Sequence, residues 1–307
     1  MQPKGLSRKT VLAELKKIRK LDQCYDDGKI LCSMCTKPHP LAEKAYQMFF
    51  GSNLGDPGIF QGSVKLEKEA VQDLATLLHG KNAVGFLVSG GTEANLIALL
   101  ASRNIAKVIQ PEVVLPESAH FSFTKICNLL NLKPVYARLD SSFRVDHSDL
   151  EKCINKNTVA IVGTAGTAEL GVIDPIEELS EVAMRHNVYL HVDAAFGGLV
   201  IPFLASSKPN FDFNLKNVQS ITVDPHKMGM AVLPAGGIFF RDAKMLDYVK
   251  TETPYLTDQV QYTFVVTRSG APAASAWAVF KSLGTEGFQK IVDNCMKNTK
   301  LFANGLK

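Results

Sequence analysis

Val84-Gly-Phe-Leu-Val-Ser-Gly-Gly-Thr-Glu-Ala-Asn-Leu96 reads as a strand, a tight turn and the opening of a helix. Residues 84–88 are apolar, Ser89-Gly90-Gly91-Thr92 is turn chemistry, and Glu93–Arg103 carries a helical pattern. The unit recurs down the chain. Val113–Leu115, Pro134–Leu139, Val159–Gly163, Val188–Val192, Ser220–Val223 and Gly237–Phe240 read as strands, with helices expected over 121–131, 147–154 and 175–186. Such alternation predicts an α/β fold: a mainly parallel, wound sheet flanked by helices on both faces. Ligands of these sheets bind at the carboxyl ends of the strands, so the residues just past each strand deserve the closest reading.

The flanks of this core are helical. Residues 7–22 form an amphipathic pattern, with Ser7 as N-cap, apolar positions 11, 12, 15 and 18, and a dense basic face including Arg8, Lys9, Lys16 and Lys17. A second helix is expected over 40–50, then the breaker-rich loop Gly51–Gly58, then a helix over 64–79. The last part reads as Ala273–Leu283, a break at Gly284–Gly287, and Phe288–Leu306, with no strand after it. The expected division is an N-terminal helical segment (1–50), a large α/β domain (51–271), and the helical start of a smaller C-terminal domain (272–307) cut short.

Composition bounds the function. The 307 residues are 46% hydrophobic and 21% charged, as in ordinary globular enzymes, and the net charge of +4 is too mild to argue for nucleic acid. Residues 1–20 lack an apolar core and no run of eighteen apolar residues occurs, so neither a signal peptide nor a membrane span is expected. The six cysteines (24, 32, 35, 127, 153, 295) do not space like a disulfide framework. Cys32-Ser-Met-Cys35 lacks the second ligand pair that a metal site needs. Reduced thiols and a cytoplasmic location are the expectation.

Five stretches past strand ends could carry chemistry. Gly90-Gly91-Thr92 lets backbone approach an anion, with helix amides and the Thr92 hydroxyl to hold it, although a tight turn with a threonine cap reads the same way. Asp193 ends the apolar stretch Tyr189-Leu-His-Val-Asp193, where a carboxylate needs a partner to offset desolvation; a protonated pyridine nitrogen is one, and capping of the next turn is another. Ala194 and Ala195 after it are small enough to let a flat ring lie against the strand end. His120, in Glu117-Ser-Ala-His120-Phe-Ser, is either a ring-stacking imidazole or a satisfied core histidine. Thr164 and Thr167 lie in a Thr/Gly turn that could orient a ring or simply turn. Lys227 follows the short run Ile221-Thr-Val223 in Ser220-Ile-Thr-Val-Asp-Pro-His-Lys-Met-Gly229, on a segment whose direction Pro225 fixes. An amine partly desolvated there can attack an aldehyde. An anion cradle, a carboxylate, an imidazole and a lysine together are what a lysine-bound pyridoxal phosphate requires.

The set SGGTEANL, AHFS, GTAGTAELG, HVDAAFGG and SITVDPHKMG, in that order, resembles the group II pyridoxal-phosphate-dependent amino-acid decarboxylases of the aspartate-aminotransferase fold type I, closest to their archaeal L-tyrosine/L-aspartate branch. NLGDPGIFQG, LVIPFL and PYLT fit that branch too. The resemblance implies that Lys227 anchors pyridoxal 5'-phosphate and that His226 contacts phosphate or substrate. It implies that Asp193 pairs with the pyridine nitrogen, with Ala195 under the ring and His120 stacked over it. Gly91 and Thr92 would hold the phosphate, Thr167 would help orient the ring, and Asp224 would position the lysine loop. Tyr255 or Tyr262 would be the proton donor, on a mobile segment.

The implied activity is decarboxylation, either of L-tyrosine to tyramine (towards methanofuran) or of L-aspartate to β-alanine (towards coenzyme A), in a homodimer. Family members carry a closing small domain with a carboxylate-binding arginine; Arg268 is present without an assigned place. The scarcity of basic residues in the substrate-facing loops inclines the choice to tyrosine. Two alternatives stand beside this: a lyase or desulfurase of the same fold, with Cys35 as the mobile thiol, and a truncated homologue that binds cofactor without turnover.

Overall fold

The computed structural model describes residues 1–30, 33–34, 36–206 and 208–306. Cys32 and Cys35 lie outside the described residues, and the desulfurase thiol falls there with them.

Helices α1 (Arg8–Arg19), α2 (Pro40–Phe49) and α3 (Gln61–Leu77) precede the first strand, β1 (Val84–Val88). Then follow α4 (Gly91–Ala106), β2 (Glu112–Pro116), α5 (Ser122–Leu130), β3 (Lys133–Ala137), α6 (His147–Cys153), β4 (Thr158–Thr164), α7 (Ile176–His186) and β5 (Tyr189–Asp193). The chain continues through β6 (Val218–Val223), β7 (Gly236–Phe240), the short pair β8 (Thr251–Glu252) and β9 (Val260–Gln261), and α8 (Ala271–Gly305). The expected strands all form, within two residues at either end. Unforeseen are the β8–β9 hairpin and the short 3-10 turns at 25–27, 197–203 and 243–248.

The main sheet has seven strands in the order β1-β7-β6-β5-β4-β2-β3. Only β7 runs against the rest: it is antiparallel to both β1 and β6, while the other neighbours are parallel. Strands β2, β4, β5 and β7 are buried along their whole length, which is why they read as continuous apolar runs. Alternate residues feed opposite faces. Ile161 points with Leu190 and Val192 into a core shared with Leu74 of α3, Leu179 of α7 and Val279 of α8. Ala160 and Val162 point the other way, against Leu99 of α4 and Phe123 and Ile126 of α5. Each such buried aliphatic side chain contributes about 1.5–3 kcal/mol of transfer free energy.

The parallel strands put Val88, Pro116, Thr164, Asp193 and Val223 at one edge of the sheet, where β7 begins at Gly236. The motif residues therefore converge although they are far apart in the chain.

Two peripheral features differ from this core. Ser7 caps α1 as expected, accepting the Thr10 amide at 3.2 Å, yet no residue of α1 is buried. Its apolar stripe (Val11, Leu12, Leu15, Ile18) is exposed, and so is its basic face. Helix α8 is interrupted at Gly284, whose φ of 56° and ψ of −170° only glycine adopts readily. The first half of α8, Ala271–Phe280, is packed into the main core.

Candidate active site

A cavity of about 340 Å³ opens at the carboxyl edge of the sheet. Gly91, Thr92, His120, Asp193, Asp224 and Lys227 all line it, with Ala195 and His226. A larger and more apolar cavity, about 770 Å³ between α3, α8 and residues 199–214, holds none of the candidate site residues.

One side of the cavity is the turn before α4. Gly90 has a φ of 155°, open to glycine and strained for other residues. A Cβ on Gly91 would come within 3.0 Å of Asp224 Oδ2 and 3.3 Å of the Ala195 methyl, so no side chain fits there without displacement. A Cβ on Gly236 would meet Gly90 Cα at 2.4 Å, so β7 presses directly on the turn. Glu93, buried in the first turn of α4, accepts the Ser89 amide (2.8 Å) and hydroxyl (2.7 Å) through one oxygen and the Val265 amide (3.0 Å) through the other. The carboxylate thus fixes the turn's shape from below, and Thr92 and the opening amides of α4 face the cavity at the positive end of the helix.

The floor is Asp193, 6% exposed at the end of β5. Its Oδ2 accepts Asn95 Nδ2 at 2.9 Å and its Oδ1 accepts the Ala195 amide at 3.1 Å. Ala195 and His120 line the same cavity. His120 Nδ1 accepts the Ser122 amide (3.3 Å) and lies 2.8 Å from the Ser122 hydroxyl, which places the ring proton on Nε2. Burial is the main cause that lowers the His120 pKa, with Asp193 opposing it, so this imidazole is neutral at pH 7.

The opposite side is the lysine loop. Asp224 is 2% exposed; its Oδ2 accepts the Gly91 amide at 3.1 Å and faces Lys227 Nζ at 3.3 Å and His226 Nε2 at 3.8 Å. Its Oδ1 has no partner among the described residues. Burial pushes this carboxyl up to about 7 against the opposing pull of Lys227. His226 Nδ1 sits 2.6 Å from the Ala235 carbonyl, turning Nε2 towards Asp224; burial lowers its pKa. The loop is strapped from outside, since Thr36 Oγ1 donates to the Lys227 carbonyl (2.5 Å) and the His39 amide to that of Met230 (2.9 Å).

Four residues singled out in the sequence stand elsewhere. Thr167 is buried but does not line the cavity: its hydroxyl accepts the Val172 amide (3.2 Å) and closes its own turn. Thr164, with an unpartnered buried hydroxyl, takes the lining position instead. Tyr255 is 84% exposed on the hairpin between β8 and β9, and Tyr262 stacks on Phe86 at 5.2 Å; neither reaches the cavity of its own chain. Arg268 is committed to a buried ion pair with Glu67 (2.5 Å) and to the Leu87 carbonyl (2.5 Å). It holds the end of the cradle strand, and no arginine lines the cavity among the described residues. Sequence reasoning missed Asn95, His191 and Glu93. His191 shares a strand face with Asp193, two residues on, and that was the available signal.

The site fits pyridoxal phosphate. The glycine turn leaves room for backbone to meet a phosphate, small and flat side chains (Ala195, His120) bound the middle, and Asp193 waits at the floor. Lys227 lies at the remaining side, and the oxygens of Asp224, Thr164 and Ser118 mark polar atoms that lack a partner among the described residues.

Comparison with known proteins agrees with this fit. Residues 62–307 match the model of the pyridoxal-dependent decarboxylase conserved domain. The chain is 51% identical over 285 residues to a probable L-tyrosine/L-aspartate decarboxylase of Methanothermobacter thermautotrophicus, covering 92% of this chain and 78% of that protein. It is 50% identical over 309 residues to the L-aspartate decarboxylase of Thermococcus kodakarensis, covering 99% and 80%. Among solved structures, a sphingosine-1-phosphate lyase of Burkholderia pseudomallei superposes with a TM-score of 0.87 at 29% identity, covering 95% of this chain and 72% of that one. The chain belongs to the pyridoxal-dependent decarboxylase family and is a fold type I, pyridoxal-phosphate-dependent amino-acid decarboxylase.

Proposed function

We propose that the enzyme decarboxylates L-tyrosine to tyramine. The observation that carries this is the cavity wall. Met34, Phe196 and Leu233 supply apolar surface, and Lys227 is the only lysine or arginine among the described lining residues. A phenol side chain suits such a wall, whereas a side-chain carboxylate would lie unpaired and costly. The second reading is L-aspartate to β-alanine. The relatives named for L-aspartate support it, and it would need a cation brought by another copy of the chain.

The assigned roles follow the chemistry of each position. Lys227 would anchor the cofactor, Gly91 and Thr92 would hold its phosphate, and Asp193 would pair with its pyridine nitrogen. His120 and Ala195 would bracket the ring, and His226 and Asp224 would steady the lysine. Thr167 acts at most through the shape of its turn. When bound, the cofactor supplies an electron sink for the carbanion left as CO2 departs. The protein's own contribution is orientation and exclusion of water from a half-enclosed cavity.

A homodimer is part of this reading. Tyr255 would serve as proton donor to the cavity of the other copy, because it cannot reach its own, and the uncovered apolar stripe of α1 gives a second reason for a partner. A cytoplasmic location is likewise proposed, supported by free thiols at Cys24, Cys127, Cys153 and Cys295. No helix among the described residues is long and apolar enough to cross a membrane.

Trapping of CO2 from L-tyrosine and from L-aspartate in separate reactions tests the substrate. Release from tyrosine alone is expected; release from aspartate alone overturns the choice and keeps the family. Co-assembly of Lys227→Ala with Tyr255→Phe tests the dimer. The mixture should regain about a quarter of wild-type activity, since half the dimers are mixed and each of those holds one intact site of two.

A further inference from the structure

Behind the Asp193 carboxylate lies a buried polar chain that touches no part of the cavity except through Asn95 and Asp193. Asn95 Nδ2 is 2.9 Å from Asp193 Oδ2. Asn95 Oδ1 lies 2.9 Å from His191 Nε2 and 2.7 Å from the Thr222 hydroxyl. His191 Nδ1 lies 2.7 Å from the Ser220 hydroxyl. His191, Ser220 and Thr222 are fully buried and Asn95 is 1% exposed.

Every proton in this chain is fixed by elimination. An ionised carboxylate only accepts, so the Asn95 atom facing Asp193 must be the amide nitrogen. Its oxygen then faces two groups that must both donate, so His191 carries its proton on Nε2 and Thr222 gives its hydroxyl proton to the amide. Nδ1 of His191 is left as an acceptor, and Ser220 donates to it. Burial pushes the His191 pKa down to about 4, so the ring stays neutral and the pattern has one solution. Such a network is rigid because each member's alternatives leave a buried group unpaired. One helix and two strands meet in it: Asn95 from α4, His191 from β5, and Ser220 and Thr222 from β6.

We propose that Asn95 and His191, braced by Ser220 and Thr222, are positioning residues that aim and hold the Asp193 carboxylate for the pyridine nitrogen of pyridoxal phosphate. The inference rests on the assignment of Asp193 as the pyridine partner. A network serving only the core would affect every ligand of the cavity equally. One acting through Asp193 affects only ligands that present a ring nitrogen.

The test compares the dissociation constants of pyridoxal phosphate and of its 1-deaza analogue, in which a C–H replaces the pyridine nitrogen, by fluorescence titration of the purified full chain freed of cofactor. Wild type should favour the natural cofactor by about tenfold or more, as a charge-assisted hydrogen bond allows. Asn95→Leu should erase most of that preference while binding the deaza analogue within about twofold of wild type. Thr222→Val, nearly isosteric and lacking one donor to Asn95, should cut the preference by about threefold and carries the test if the leucine variant does not fold. A preference unchanged in the folded variants, or a loss equal for both ligands, overturns the positioning role. A preference that survives Asp193→Asn, or that is absent in wild type, overturns the Asp193 assignment and the inference with it.

Discussion

At the end of β5, Asp193 has a donor on each oxygen, one from a helix side chain and one from the Ala195 backbone amide two residues on. One strand over, Asp224 has its donors on a single oxygen, a bare second oxygen, and a pKa pushed up to about 7. Both carboxylates are nearly inaccessible. The first is organised by residues the chain holds rigid on three elements. The second shares its neighbours with a lysine on a loop, and its balance depends on where that lysine is. A buried carboxylate with a complete shell is suited to hold one fixed partner; one with an incomplete shell is suited to exchange partners.

Removing the lysine breaks the comparison most severely. Lys227→Ala should lose the yellow absorbance retained through gel filtration and lower kcat by at least about a thousandfold. Asp193→Asn should follow, with kcat down by about a hundredfold or more and a weakened preference for the protonated cofactor, read from kinetics and the visible spectrum. Arg268→Ala lies outside the pair and serves as a contrast. Leaving Glu67 unpaired should cost about 3 kcal/mol of stability in urea titration. Cofactor affinity in the folded fraction should change little, because Arg268 does not line the cavity.

Asp224→Asn should act on stability with a definite sign. The folded chain holds the Asp224 proton more tightly than the unfolded chain between about pH 4 and pH 7, so ionisation of this group erodes stability as pH rises through that window. Without cofactor the variant should melt above wild type at pH 8, and the gap should close towards pH 4. An unchanged gap across that range would show that Asp224 is satisfied in a way its bare oxygen does not indicate. Smallest of all, Thr167→Val should change kcat by less than about twofold, since its hydroxyl is spent on its own turn.

How much of this was legible in the sequence follows the range of the interactions. The strands and their ends were readable because alternation and apolar runs are local, and parallel pairing then gathers all the strand ends at one edge. The cradle, Asp193, His120 and Lys227 followed from that edge. The shell behind Asp193 was not readable, because Asn95 meets partners about a hundred residues away on two other strands, and each looked like a polar residue inside an apolar run. Arg268 could not be placed because its partner Glu67 sits on α3, inside an amphipathic pattern that gave it no special mark. Tyr255 was offered beside Tyr262 as a proton donor on a mobile segment, and a segment's sequence says nothing about which cavity it faces.

The one backward strand of the sheet has a mechanical consequence. Because β7 returns beside β6, the stretch carrying Lys227 is clamped at both ends to adjacent strands, with the Thr36 and His39 contacts holding its middle. The segment works as a short bridge fixed on two piers. In the proposed role the amine changes position by swinging its four-carbon arm, while the span beneath it stays still.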